Sequence, residues 1–264
     1  MSYKHKRIRS IIGLCILAAL AAALIVNMFV SSGKNSRDQA DRSRSASAAS
    51  MKSWVICQKQ GMDLRDKLGY ESAYTYMYTY AQEQEKLFGK GHKTAWAKAQ
   101  TTMLSQRALL SYAKSQGIRW TKSDINAYIK RQIASGRKAK SYNKINKACR
   151  TAGIKFSDSY WKCRESYTFD YVTDKLYKQE QKGFQKKKKG GNWNKQWKKI
   201  QDTALQEYKA RSEYAQEAKL YQEGKKIYLS KDRRNVAVIK ERIGSFSGDK
   251  LDGETGCIHQ KNNE

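Results

Sequence analysis

The chain has 264 residues, with 53 Lys and Arg against 24 Asp and Glu, a formal net charge of +29, and no proline. Its five cysteines (Cys15, Cys57, Cys149, Cys163 and Cys257) form no CxxC pair and no Cys/His cluster at ligand spacing, which argues against a metal site. So strong a positive field calls for acidic neighbours: nucleic acid, anionic lipid headgroups or an anionic wall polymer.

Residues 1–10 carry Lys4, Lys6, Arg7 and Arg9 and no acid, and Ile11–Val30 follows as an apolar run in which Asn27 is the clearly polar residue. At about 1.5 Å per residue, a helix of that length matches the roughly 30 Å hydrocarbon core of a bilayer. Positive charge ahead of the first apolar segment holds that end in the cytoplasm. The expectation is a single-pass signal-anchor at residues 11–30, with the remainder translocated. A signal peptide cleaved near Val30-Ser31-Ser32 is the alternative, although its apolar region is normally shorter. Residues 31–50 are rich in Ser, Ala, Arg and Asp and read as a flexible linker. Setting aside the four basic residues before the anchor, residues 31–264 carry +25. Outside the cytoplasm that charge favours lipid or wall polymer and makes nucleic acid the least available partner. A bias that simply keeps the domain soluble is the plainer account.

Residues 51–229 read as an all-α domain. Ala95, Ala99, Met103, Leu110 and Ala113 share one face of a helix over about 94–116; Ile125, Ile129, Gln132 and Ile133 define a shorter one; Tyr160, Cys163, Tyr167 and Tyr171 another. Trp193, Trp197, Ile200, Ala204 and Tyr208 open a long C-terminal helix expected to reach about Gly224, the two tryptophans being core anchors. Gly117-Ile118-Arg119-Trp120-Thr121 and Gly153-Ile154-Lys155-Phe156-Ser157 repeat one pattern. In each, Gly ends a helix, Ile packs back on its last turn, and the hydroxyl residue caps the next helix. Asp124 completes a capping box with Thr121. After Gly224, Ile227-Tyr228-Leu229 and Val236–Ile239 read as small strands; residues 230–264 read as short, irregular or strand-like, with a loose polar tail from Gly244.

The segment Tyr70, Tyr74, Tyr76, Met77, Tyr78 and Tyr80 is the most aromatic part of the chain. In a helix Tyr70, Tyr74, Met77 and Tyr78 share one side, and Tyr76 and Tyr80 lie on another. Both readings stay open: core packing, or a sequence-tolerant peptide surface to which Tyr76, Tyr80, Tyr74 and Met77 contribute. Lys186, Lys187, Lys188 and Lys189 read as a solvated loop or as a contact for anionic lipid or polymer. Cys149 and Cys163 could be bridged or could be separate buried thiols. The sequence contains no nucleophile–base pair, phosphate-cradling Gly loop or cofactor motif, and its acids read as scattered along charged faces; a binding protein rather than an enzyme is expected.

Leu109-Leu110-Ser111-Tyr112-Ala113-Lys114-Ser115-Gln116-Gly117-Ile118 and then Thr121-Lys122-Ser123-Asp124-Ile125-Asn126-Ala127-Tyr128-Ile129 resemble the N-terminal domain of SurA/PrsA-type chaperones. Ala152-Gly153-Ile154, Ser157-Asp158-Ser159-Tyr160-Trp161 and Lys175-Leu176-Tyr177 extend that likeness in order over residues 94–184. The resemblance implies a peptide-binding helical domain on the outer face of a bacterial, Gram-positive-type membrane, taking unfolded or secreted polypeptides without ATP. The chain departs from the family in two ways. Only 67 residues follow Trp197, too few for a parvulin isomerase module, and His5, His92 and His259 do not form its pattern. The family's domains are also often acidic or neutral, unlike this one. The alternatives are docking on anionic wall polymer or lipid, and nucleic-acid binding in a DNA-transfer apparatus.

Overall fold

The structure, a computed structural model, describes residues 38–187 and 191–246, with side chains from 50 to 185 and from 191 to 246. The apolar segment 11–30, residues 31–37, Lys188, Lys189 and the tail beyond 246 lie outside the described residues, as do the side chains of Lys186 and Lys187. Among the described residues the chain is all-α. The helices in order are α1 (Asp38–Leu68), α2 (Ala73–Phe88), α3 (His92–Ser115), α4 (Lys122–Arg137), α5 (Tyr142–Thr151), α6 (Asp158–Trp161), α7 (Arg164–Lys187), α8 (Trp193–Lys209), α9 (Tyr214–Leu229) and α10 (Val236–Arg242). None of these is long and apolar enough to cross a membrane.

Local chemistry accounts for most boundaries. Ser72 caps α2, its hydroxyl accepting from the Tyr74 amide at 3.1 Å while Thr75 Oγ1 accepts from the Ser72 amide at 3.2 Å. At the start of α4, Thr121 and Asp124 cap each other: the Asp124 amide donates to Thr121 Oγ1 at 3.1 Å and the Thr121 amide to Asp124 Oδ2 at 2.9 Å. Gly117 sits at φ +75° and the Ile118 amide donates back to the Ala113 carbonyl at 2.9 Å, which ends α3 as the repeated motif predicts. Gly153 does the same at φ +73°, with Ile154 donating to Cys149 at 3.0 Å. The two corners then diverge, because Ser157 makes no capping bond and Asp158 Oδ2 instead accepts from the Lys155 amide at 3.2 Å.

Helix α3 is the hub, touching α2, α7, α8 and α9, while α1 packs along α2 and also meets α5 and α10. The predicted stripe Ala95, Ala99, Met103, Leu110 and Ala113 is buried at these contacts. At the centre of the core the rings of Trp96, Tyr74, Tyr78 and Tyr228 lie 5.0–6.3 Å apart. Gly224 makes this packing possible. A Cβ there would stand 2.9 Å from Trp96 Cζ2, so the missing side chain lets α9 close on the indole.

Four expectations are corrected. Helix α1 begins at Asp38, inside the segment read as a linker, so residues 38–50 are helical. The long C-terminal helix is two helices, α8 and α9, broken at 210–213 without Gly or Pro, and Gly224 lies within α9 rather than at its end. Ile227, Tyr228 and Leu229 are the last turn of α9, and Val236–Ile239 belongs to α10, so neither forms a strand. The missed signal was Asn235, whose Oδ1 accepts from the Ala237 and Val238 amides and starts a helix over a β-branched run. Cys57, Cys149 and Cys163 are all free thiols, so Cys149 and Cys163 are not bridged.

Candidate functional site

Three helical stripes with spacings of three and four meet around one cleft. On α1 they are Trp54, Gln58, Gly61 and Arg65; on α2, Tyr76, Thr79, Tyr80 and Glu83; on α7 and the turn before it, Cys163, Ser166, Tyr167 and Asp170. Thr102 and Gln106 of α3 form its floor, and Glu71 and Lys162 complete the wall. The cavity measures about 300 Å³, enough for one large side chain. Helices α1 and α2 approach closely because Gly61 faces Thr79, where a Cβ would come within 1.9 Å of Thr79 Oγ1.

The aromatic segment divides as the helical wheel requires. Tyr74, Met77 and Tyr78 are core residues with at most 1% exposure, so the peptide-surface reading of Tyr74 and Met77 is withdrawn. Tyr76 and Tyr80 are half-buried and line the cleft. The Tyr76 hydroxyl donates to Gln106 Oε1 at 2.7 Å and its ring meets Phe169 edge-on at 6.1 Å. On the opposite wall Tyr167, 2% exposed, stacks on Tyr160 at 5.4 Å, and its buried hydroxyl has no hydrogen-bond partner.

The cleft also holds three carboxylates that the sequence reading had scattered over charged faces. Glu83 is 5% exposed and accepts from Gln58 Nε2 at 2.6 Å and from Trp54. Burial pushes its pKa up to about 7. Glu71 is raised to about 7 by burial against an opposing pull from Arg65, and accepts from the Glu165 amide at 3.5 Å. Asp170 is raised to about 7 by burial alone. The nearby cations are engaged elsewhere: Arg65 donates to the Lys162 carbonyl and pairs with Asp66 at 2.9 Å, and the Lys162 ammonium also pairs with Asp66. The Cys163 thiol is pushed up to about 12 by burial and donates to Gln58 Oε1 at 3.4 Å, which makes it a poor nucleophile at neutral pH. Among the described residues no three His, Cys, Asp or Glu side chains gather as metal ligands.

No family model, curated protein or solved structure matches this chain. The site therefore rests on its own geometry.

A signal for these acids was present in the sequence. Glu83 lies three residues after Tyr80 and seven after Tyr76, on the face that α2 turns away from the core, and Asp170 extends the Cys163–Tyr167 stripe by one further turn. What periodicity alone withholds is that the two faces meet.

A second feature lies apart from the cleft. Between Ile125 and Ser157 there is no acid, while Lys130, Arg131, Arg137, Lys138, Lys140, Lys144, Lys147, Arg150 and Lys155 are all exposed. These project from α4, the turn after it, α5 and the following corner.

Proposed function

We propose that this chain is a membrane-anchored, extracytoplasmic binding protein of the chaperone kind, holding segments of unfolded or secreted polypeptides without ATP. The observation that carries the reading is the aromatic-walled cleft between α1, α2, α3 and α7, sized for one client side chain. Tyr, Trp and Met walls tolerate varied sequences because they are large and adaptable while their polar edges stay wettable. The SurA-like order of motifs over residues 94–184 and the apolar segment 11–30 support the same reading, since an anchored domain of that kind would meet chains as they are translocated. Light scattering of an aggregating client, with the full chain in detergent, tests it. Suppression at near-equimolar ratios is expected, and a photo-crosslinker at Tyr80 should capture the client. Full aggregation at several-fold excess of folded protein sinks the proposal, as does protease resistance of the domain in intact cells stripped of their wall.

The acid-free stretch 125–157 favours a second role, docking on anionic lipid or wall polymer. Exposed Lys and Arg near an anionic surface contribute about 1 kcal/mol each, and salt screens this. Co-sedimentation with anionic vesicles at low and high salt measures it; reversing Lys138, Lys140 and Lys144 to Glu should release the protein at low salt.

A further inference from the structure

Resting on the peptide-binding reading, we infer that the cleft selects a basic group: the ammonium or guanidinium of a client Lys or Arg side chain, inserted between Trp54, Tyr76, Tyr80 and Tyr167 and met by Glu83 and Asp170, with Glu71 further along the cleft. The protein as a whole repels cations, so three carboxylates gathered in one cavity run against its overall charge. None of the three forms an ion pair among the described residues. Glu83 takes its hydrogen bonds from neutral donors, and the cations at the mouth are tied to Asp66.

The remaining geometry specifies the kind of cation. The carboxylates are spread over α2, the turn before it and α7, and no metal-type cluster forms among the described residues, so the cavity suits an extended organic cation more than a compact ion. A long alkyl or propyl-guanidinium stem would lie against the aromatic rings, whose faces attract positive charge. Asp170 lines the cavity without a hydrogen bond or ion pair among the described residues, which leaves its carboxylate open to an N–H donor. At long range the +25 field opposes such a ligand. Beyond about 10 Å salt screens that field and within the cleft the nearest charges dominate, so selection acts on a side chain already delivered by its polypeptide.

The charged and titratable groups facing the cavity are Arg65 on α1, Glu71, Tyr76, Tyr80 and Glu83 on or beside α2, and Lys162, Cys163, Tyr167 and Asp170 at α7, with Arg164 also acting on Glu71, while α3 presents the neutral Thr102 and Gln106. With the empty-cleft carboxylates raised to about 7, a cationic ligand must displace protons from them, so binding should tighten as pH rises from 5.5 to 7.5.

Isothermal titration of the full chain in detergent tests this with four probes: acetyl-Ala-Ala-Lys-Ala-Ala-amide, its norleucine and Glu counterparts, and n-butylammonium chloride. The Lys peptide should bind about tenfold or more tightly than the norleucine peptide and release protons, and its affinity should rise on the order of tenfold between pH 5.5 and 7.5. Glu83→Gln and Asp170→Asn, each checked for folding by circular dichroism, should each weaken it about tenfold. Equal affinity for Lys and norleucine peptides overturns the cation proposal and leaves peptide binding intact. Binding of butylammonium without any peptide keeps the cation site and overturns the peptide reading. No binding by any probe at millimolar concentration overturns both.

Discussion

Glu83→Gln should stabilise the ligand-free protein, increasingly so as pH rises. Glu83 is nearly fully buried on α2, and its carboxyl ionises near pH 7 in the folded chain against an ordinary 4.5. Its folded pKa is raised, so the stability it contributes is fully present below pH 4.5 and is lost as pH climbs through about 7. The gap of about 2.5 pH units, at about 1.36 kcal/mol each, makes the loss about 1 kcal/mol at pH 5 and about 3 kcal/mol at pH 8. Gln has the same shape, still accepts from Gln58 Nε2, and carries no charge to desolvate. Water entering the open cleft reduces the pH-dependent difference to about 1–2 kcal/mol. Urea unfolding of both proteins at pH 5, 6, 7 and 8 measures it. Parallel stability profiles, or a variant less stable than the parent at pH 8, would show that the carboxylate is not held at the expense of folding.

Removing Arg107 by Arg107→Met should cost about 3–5 kcal/mol, because Glu217 (8% exposed) would keep only the Tyr208 and Tyr221 hydroxyls, at 2.7 and 3.1 Å, against its buried charge. Adding Glu217→Gln should recover part of that in the same melts. Gly224→Ala should lower stability by about 1–3 kcal/mol despite alanine's better helix propensity, since its Cβ would press on Trp96; a thermal melt unchanged or raised would refute the close approach. Thr121→Ala should cost about 1 kcal/mol by opening the capping box, whereas Ser157→Ala should be nearly neutral, a contrast that chemical denaturation reads directly.

Periodicity and capping chemistry were enough to establish an all-α domain and several of its corners. Ala95 to Ala113 and Ile125 to Ile133 carry their burial in their spacing, and Gly117-Ile118 with Thr121 and Asp124 specifies a helix end and the next start within eight residues. These are contacts between residues close along the chain, so sequence alone carries them. The break between α8 and α9 is different. Residues 210–213 hold no helix breaker, and the chain turns there because both helices pack on α3. Ile227 and Tyr228 have strand-like composition, yet both are buried in the helical core, Tyr228 against Trp96 and Tyr78, and stay helical. For the cleft, helical spacing placed Tyr76, Tyr80 and Glu83 on one face and Tyr167 and Asp170 on another. That those faces oppose each other across α1, gathering three carboxylates in an otherwise basic protein, depends on contacts some 90 residues apart, which only the packing of the helices creates.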